Sequence, residues 1–435
     1  MQPYNWVSFI GIFLLMGIAW LFSNSKGKMN WRVIGWGLGL QIIFAAFIFW
    51  IPAGSKFFLV INDVVVKILN SASAGTEFVF GRLALAPGTS NAAGETSLGF
   101  FLAFQALPAV VFFAALMGIL YFIRLMPLLI RGFAWLFTRL MNISGAESLC
   151  ASSNIFVGIE SALTIRPFID KMTRSELMTI LTAGMATVAS SMLAMYVFIL
   201  NQQFPTIAGH LVSASILSAP AALMMSKIIL PETNTPETLG QHVKPISTRD
   251  NNIIEAIING ANGGVKLVVG ITALLLAFLG LVGLLDLILG WIGSGINGVL
   301  GTEFHWTLKN LLGYLFYPVT LIIGVPPADA MEIARLIGER VVVTEVTAYQ
   351  DLAILLKDNV LQNPRSAFIC TYALCGFAHV ASLAIFVGGI AALAPGRTKD
   401  LSILGPRALL AATLACLLTA AVAGTFYNSG SILLN

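Results

Sequence analysis

Charge is what this chain has least of. Asp, Glu, Lys and Arg make up 10% of its 435 residues, against roughly 25% in a soluble domain. Hydrophobic residues make up 57%, and the mean hydropathy is +0.88. So few charges cannot cover so much apolar surface in water, and the composition predicts an all-α polytopic membrane protein. The net charge of +4, from 24 basic and 20 acidic residues, is small and scattered, which excludes nucleic acid as a partner. The four cysteines, Cys150, Cys370, Cys375 and Cys416, lie in apolar stretches without a CxxC pair. They read as buried small hydrophobes rather than disulfides or metal ligands. The four histidines, His210, His242, His305 and His379, show no HxxxH or HExxH spacing, and GxSxG is absent. Neither metal catalysis nor an intramembrane serine hydrolase finds support, so no enzyme and no cofactor is expected.

Apolar stretches are what the chain has instead. A spanning helix needs about 20 apolar residues, and such stretches run near 5–23, 33–53, 99–124, 176–200, 207–229, 264–291, 366–394 and 405–427. The first, from Trp6 to Phe22, is long for a signal peptide and lacks a basic leader, so it reads as a first spanning helix. Two further stretches, near 125–165 and 306–357, are apolar but interrupted by Gly, Pro, Ser and charges. Lys and Arg occur three at a time in Lys26–Arg32, Arg124–Arg139, Arg166–Arg174, Lys227–Arg249 and Arg397–Arg407. All five clusters share one side if eight helices span and the two broken stretches re-enter without crossing. The basic side is then cytoplasmic and both termini face outward. The only long polar connection, 230–258, joins two halves.

The halves resemble each other. Gly184-Met-Ala-Thr-Val-Ala-Ser190 matches Gly376-Phe-Ala-His-Val-Ala-Ser382 at five of seven positions. Each segment follows a broken stretch carrying one glutamate, Glu160 or Glu345. The first hairpin would open to the cytoplasm and the second to the outside, so the repeats are inverted. Inverted repeats with broken segments characterise secondary transporters, whose site lies at the repeat interface. A carboxylate at mid-membrane costs at least about 2.5 kcal/mol on insertion scales and normally faces a ligand, an ion or a partner. Glu160 and Glu345 are therefore the first candidates, the alternative being protonated or Arg-paired structural carboxylates. His379 stands where the first repeat has Thr187. A neutral imidazole both donates and accepts, and it can also carry a proton; a packing histidine is the alternative. Phe377 offers a ring for stacking, and Ser382 lies one turn beyond His379.

At these segments the chain resembles the concentrative nucleoside transporters, over residues 5 to 427. The bacterial pattern NIFVGQTEAPLLIRP is met by Asn154-Ile-Phe-Val-Gly-Ile-Glu-Ser-Ala-Leu-Thr-Ile-Arg-Pro167. GxKxxxNEFVAY is met by Gly338-Glu-Arg-Val-Val-Val-Thr-Glu-Val-Thr-Ala-Tyr349, and ALCGFANFGS by Ala373-Leu-Cys-Gly-Phe-Ala-His-Val-Ala-Ser382. The resemblance implies a homotrimer in the inner membrane whose protomers each import a nucleoside by symport with sodium, or in some members with protons. It places ribose contacts on Glu345, His379 and Ser382, and a base-contacting ring on Phe377. Gly158, Glu160 and Thr344 complete the implied substrate set, and sodium falls to Asn154, Val157, Thr187 and Val188. Oxygen donors of this kind suit a hard cation. The implied division is scaffold helices in 1–124, a first transport repeat in 125–229, a loop and scaffold helix in 230–300, and a second transport repeat in 301–435. Four positions depart from the pattern. Gln-Thr-Glu at the first tip becomes Ile159-Glu160 with one residue lost, Thr344 and His379 each replace an asparagine, and Arg340 replaces a lysine. These polar changes bear on which base, or modified nucleoside, is carried.

Overall fold

The computed structural model describes residues 3–91, 94–244 and 250–428. Arg249 of the fourth basic cluster lies outside the described residues. Among those described the fold is all-helical apart from two isolated bridges. The helices are α1 (Pro3–Leu21), α2 (Trp31–Phe49), α3 (Pro52–Phe80), α4 (Leu107–Phe122), α5 (Leu125–Met141), α6 (Gly145–Asn154), α7 (Arg174–Ala186) and α8 (Ser190–Leu200). They continue as α9 (Ile207–Ile229), α10 (Ile253–Leu300), α11 (Leu308–Ile322), α12 (Pro327–Val342), α13 (Glu345–Lys357), α14 (Pro364–Leu374), α15 (Val380–Leu393) and α16 (Thr398–Thr425).

Hydrogen bonds gather the basic clusters at one end of the molecule. Arg32 donates to the carbonyls of Arg139 and Leu140. Arg397 donates to those of Ile169, Asp170 and Met172. Arg407 bonds Asn24, and the Asn24 amide donates to the Ile229 carbonyl. At the opposite end Arg365 is buried among oxygens from three chain segments. It donates to Tyr4, Asn5, Ser8, Gly324 and Gly424, which satisfies a guanidinium that burial would otherwise penalise.

These two ends fix the course of both broken stretches. The first starts at Ser144, bridged to Leu239, and returns to Arg397 at Ile169–Met172. It leaves and re-joins the basic end. The second starts near Asp329, whose carboxylate accepts from the amides of Gln362 and Asn363 and from the Ser366 hydroxyl. It leaves and re-joins the other end. The two segments are oppositely oriented, as the repeat requires.

Three features differ from what hydropathy alone reads. The stretch 176–200 is two helices, α7 and α8, parted at Thr187–Ala189. The stretch 366–394 is likewise α14 and α15, parted at Cys375–His379. A 29-residue helix, α3, occupies a region read as connection. Among the described residues eight helical units are long and apolar enough for a span, and Pro52–Ala84 is one of them while the broken α14–α15 unit is not. Yet α3 begins beside Ile48, whose carbonyl bonds Ser55, and is followed by Leu83 and Leu85, whose carbonyls bond Gln105 just before α4. Gly118 lies against Ala256 and Gly264 against Val111, so α4 and α10 run antiparallel and α4 starts at the non-basic end. Both ends of α3 therefore sit there, although at 1.5 Å per residue it is about 44 Å long. It runs along that end and does not cross. Its four charges, Lys56, Asp63, Lys67 and Glu77, suit an interfacial course.

The core is built from α7–α8, α9 and α16. Their spanning windows are 83%, 89% and 89% buried, against 6% for α10. Small residues allow this density, since close approach of backbones is what holds helices together in lipid; α16 reads Leu409-Leu-Ala-Ala-Thr-Leu-Ala-Cys416.

Candidate functional site

The break in each repeat exposes a helix N-terminus at the centre of the molecule. After α14, Gly376 adopts φ +131°, a conformation closed to residues with a Cβ. The chain then reaches His379, the N-cap of α15. Its Nδ1 accepts from the Ser382 amide at 3.2 Å, and Ser382 Oγ accepts from the His379 amide at 3.3 Å. An accepting Nδ1 leaves the proton of the neutral ring on Nε2. That atom lies 3.0 Å from Glu345 Oε2. Glu345 is the first residue of α13, beyond its own break at Val343–Thr344. It is 2% exposed, and Tyr196 of α8 donates to its Oε1 at 2.5 Å. His379 Nε2 takes up one side of Oε2, which keeps a further lone pair, and among the described residues the Thr344 hydroxyl is buried without a partner. Two helix N-termini carry positive potential toward this carboxylate. An open acceptor and an open hydroxyl remain for a ligand.

These groups line a cavity of about 550 Å³, within the range that holds small organic ligands. Gly158, Glu160, Thr344, Glu345, Phe377, His379 and Ser382 all border it. Every substrate candidate read from the sequence is thus brought to one place. Glu160 makes no hydrogen bond or ion pair among the described residues, so its carboxylate is free for a ligand. Ser382 is turned away, since its hydroxyl donates to the carbonyls of Phe377 and His379. It holds the loop that presents Phe377 and His379. Most of the remaining wall is apolar, with Met117, Met192, Leu267 and Phe386, and the cavity extends to Asp250 and Asn259 on the basic-end side of α10.

The first hairpin break packs on the first helix break. Ser190 donates to the Phe156 carbonyl through both its amide, at 3.0 Å, and its hydroxyl, at 2.7 Å. Ser215 of α9 donates to the Ile155 carbonyl at 2.8 Å. Asn154, Thr187 and Val188 are buried, and among the described residues the carbonyls of Val157, Thr187 and Val188 receive no hydrogen bond. The Thr187 hydroxyl donates to Ala183 at 2.9 Å, so its lone pairs stay open. Neutral oxygens with unused lone pairs fit a sodium ion. One competitor was not foreseen: Ser161 donates to Asn154 Oδ1 at 2.8 Å.

Tyr196 and Tyr121 were also missed. Tyr121 borders the cavity, and the Tyr196 ring stacks on Tyr349 with centroids 4.7 Å apart. Tyr196 is the only hydroxyl-bearing residue past the first turn of Ser-Ser-Met-Leu-Ala-Met-Tyr-Val-Phe-Ile-Leu200. That isolation was the available signal.

Comparison with known proteins bears on this arrangement. The chain matches the family models described as Na+ dependent nucleoside transporter C-terminus over residues 210–424, its N-terminus over 10–83, and nucleoside recognition over 103–203. An uncharacterized transporter of Haemophilus influenzae is 35% identical, with 98% of each chain covered. The solved structure of CNTnw in an inward-facing substrate-bound state is 33% identical, covers 97% of this chain and 98% of that one, and superposes with a TM-score of 0.85. The chain belongs to the concentrative nucleoside transporter family. Solute carrier family 28 member 3 of Mus musculus is 37% identical over 97% of this chain, which spans 58% of that relative's length. The relatives are described as transporters and not as enzymes, and the family's description names sodium as the ion on which transport depends.

Proposed function

We propose that the chain imports nucleosides across the cytoplasmic (inner) membrane by symport with sodium. The observation that carries this reading is the single cavity in which Glu345, held by Tyr196 and His379, meets Glu160, Thr344 and Phe377 between two oppositely oriented broken segments. Glu345 with its open Oε2 accepts from sugar hydroxyls, Thr344 donates or accepts beside it, and the Phe377 ring stacks on the base. Glu160 offers the base acceptors only, which favours bases presenting N–H groups. Sodium at Asn154, Val157, Thr187 and Val188 ties the first hairpin to the helix break beside the substrate. Each ligand then orders what the other needs, a coupling typically of about 1–3 kcal/mol. The supporting relatives include the Sodium/nucleoside cotransporter 1 of Rattus norvegicus, 32% identical.

A proton-coupled reading is favoured by one observation, the free Glu160 carboxylate in the cavity. Uptake of radiolabelled uridine into proteoliposomes separates the two. Sodium symport predicts uptake lost on replacing sodium by potassium at fixed pH, and proton symport predicts uptake indifferent to sodium and abolished by a protonophore. Glu345→Gln is expected to remove uptake in either case while leaving expression and assembly intact, and wild-type uptake by that variant rejects the site. The four-part division into scaffold and transport segments, the outward termini and a homotrimer belong to the same proposal. The gathering of basic loops at one end supports the orientation. The exposed apolar length of α10, with Leu276, Leu287 and Trp291 outward, supports assembly in lipid.

A further inference from the structure

Arg340 is the structure's least explained charge. It lies in the last turn of α12, is 0% exposed, and among the described residues none of its three guanidinium nitrogens has a well-aligned hydrogen-bond partner. The carboxylates near it in sequence are engaged elsewhere. Glu339 pairs with Lys309 at 2.8 Å, and Glu345 is held by Tyr196 and His379. A buried, unpaired cation is among the costliest arrangements in a fold, so the surroundings must favour positive charge by other means.

Those surroundings are three helix ends. The Cys416 thiol lies beside the guanidinium, and a Cβ on Gly376, the residue after Cys375, would meet Cys416 Sγ at 2.7 Å. Cys416 Sγ is 3.7 Å from the carbonyl oxygen of Ala186, the last residue of α7. Cys375 follows the last residue of α14. The C-termini of α7, α14 and Arg340's own helix thus converge here, and each carries free carbonyls and partial negative charge. Unwound carbonyls and half-helix C-termini are what hold cations in membrane carriers.

The first half has the matching place, where its hairpin break meets its helix break and Ser215 of α9 touches the hairpin. There only neutral oxygens stand. In the second half α16 supplies Cys416 in the role of Ser215, and a side chain brings the charge. We propose that Arg340 is a built-in cation, its guanidinium filling in the second half the position that a transported sodium ion takes in the first. One exchangeable ion then moves with each nucleoside, and the second positive charge never leaves the protein. This inference rests on the sodium reading above.

The test is the ratio of ²²Na⁺ to radiolabelled uridine taken up by proteoliposomes holding the full chain, with the sodium dependence of uptake. Wild type is expected to carry one sodium per uridine with a Hill coefficient near 1, and Arg340→Lys to do the same. Arg340→Ser removes the charge and leaves an oxygen donor, so its Hill coefficient is expected to rise toward 2. A wild-type ratio of two, or a folded Arg340→Ser whose sodium curve keeps a Hill coefficient near 1, overturns the proposal. Should Arg340→Ser not fold, wild type and Arg340→Lys decide it: a ratio of one in both supports it, and two in either overturns it. Sodium-independent uptake by wild type strikes down the symport reading instead, which separates the two failures.

Discussion

Glu345 is a carboxylate whose two oxygens have different duties. Oε1 is committed to the Tyr196 hydroxyl and Oε2 faces His379 and the cavity. A hydrogen bond to a charged group contributes about 1.5–3 kcal/mol. Tyr196→Phe is therefore expected to weaken nucleoside binding by roughly 10- to 100-fold in isothermal titration, with the sodium dependence of uptake unchanged. His379→Asn restores an amide that donates and accepts but has no imidazole Nδ1 to cap α15. Its expected effect is an altered order of preference among competing purine and pyrimidine nucleosides in an uptake competition panel, again at constant sodium dependence. A change confined to sodium dependence would move His379 from recognition to coupling. Part of the candidate site was legible from residues because its motifs are local: Glu160, Glu345 and His379 are each marked by polarity inside an apolar run, Phe377 is a ring two residues before His379, Thr344 came only with the family resemblance, and all five border one cavity. Tyr196 escaped because a tyrosine in a membrane helix is ordinarily an interfacial or packing residue. Ser161 escaped because its partner Asn154 is seven residues away around a break that no periodicity reveals.

Breaks are the elements on which the fold turns; those of the hairpins were marked in the sequence, and those inside the two long helices were hidden from hydropathy. Hydropathy reads 366–394 as one helix because Cys375, Gly376, Phe377 and Ala378 are as apolar as their neighbours. The interruption is conformational, set by Gly376 at φ +131° and by a side-chain cap from His379. Thr187, the matching residue in the first repeat, instead bonds back to Ala183, and α8 resumes only at Ser190. A Cβ on Gly376 would meet the Ala186 carbonyl oxygen at 2.6 Å and Cys416 Sγ at 2.7 Å. Strain and clash together make Gly376→Ala destabilising by about 1–3 kcal/mol or more. The expected readout is a lowered midpoint in thermal unfolding of the detergent-solubilised protein, with uptake reduced more than expression. An unaltered midpoint would show that the break tolerates a methyl group. Helix α3 was missed for a different reason: its charges interrupt the continuous apolar run by which spanning helices were read from the sequence.

For the whole molecule, the arrangement of charge orders the chain in the membrane. The basic clusters at 26–32, 124–139, 166–174 and 397–407 were placed on one side by counting, and the bonds of Arg32, Arg397 and Arg407 join them at one end. The buried Lys227 adds to this end, pairing with Glu147 at 2.8 Å and bonding Ser175, so the start of the first hairpin is anchored to the end of α9. Since α3 begins and ends at the opposite face, cysteines introduced at Lys56 and at Arg82 are expected to react with a membrane-impermeant maleimide from the same side. Labelling from opposite sides would mean that α3 crosses, and would divide the basic clusters between two compartments. The two discontinuous helices are not independent features of this architecture. Gly376 of one rests on the terminal carbonyl of the other, at Ala186, so the places where the backbone yields most readily are in direct touch. On the proposed reading such a joint would serve as a shared pivot, passing a tilt begun at the proposed ion site to the proposed sugar-binding half without any intervening linkage.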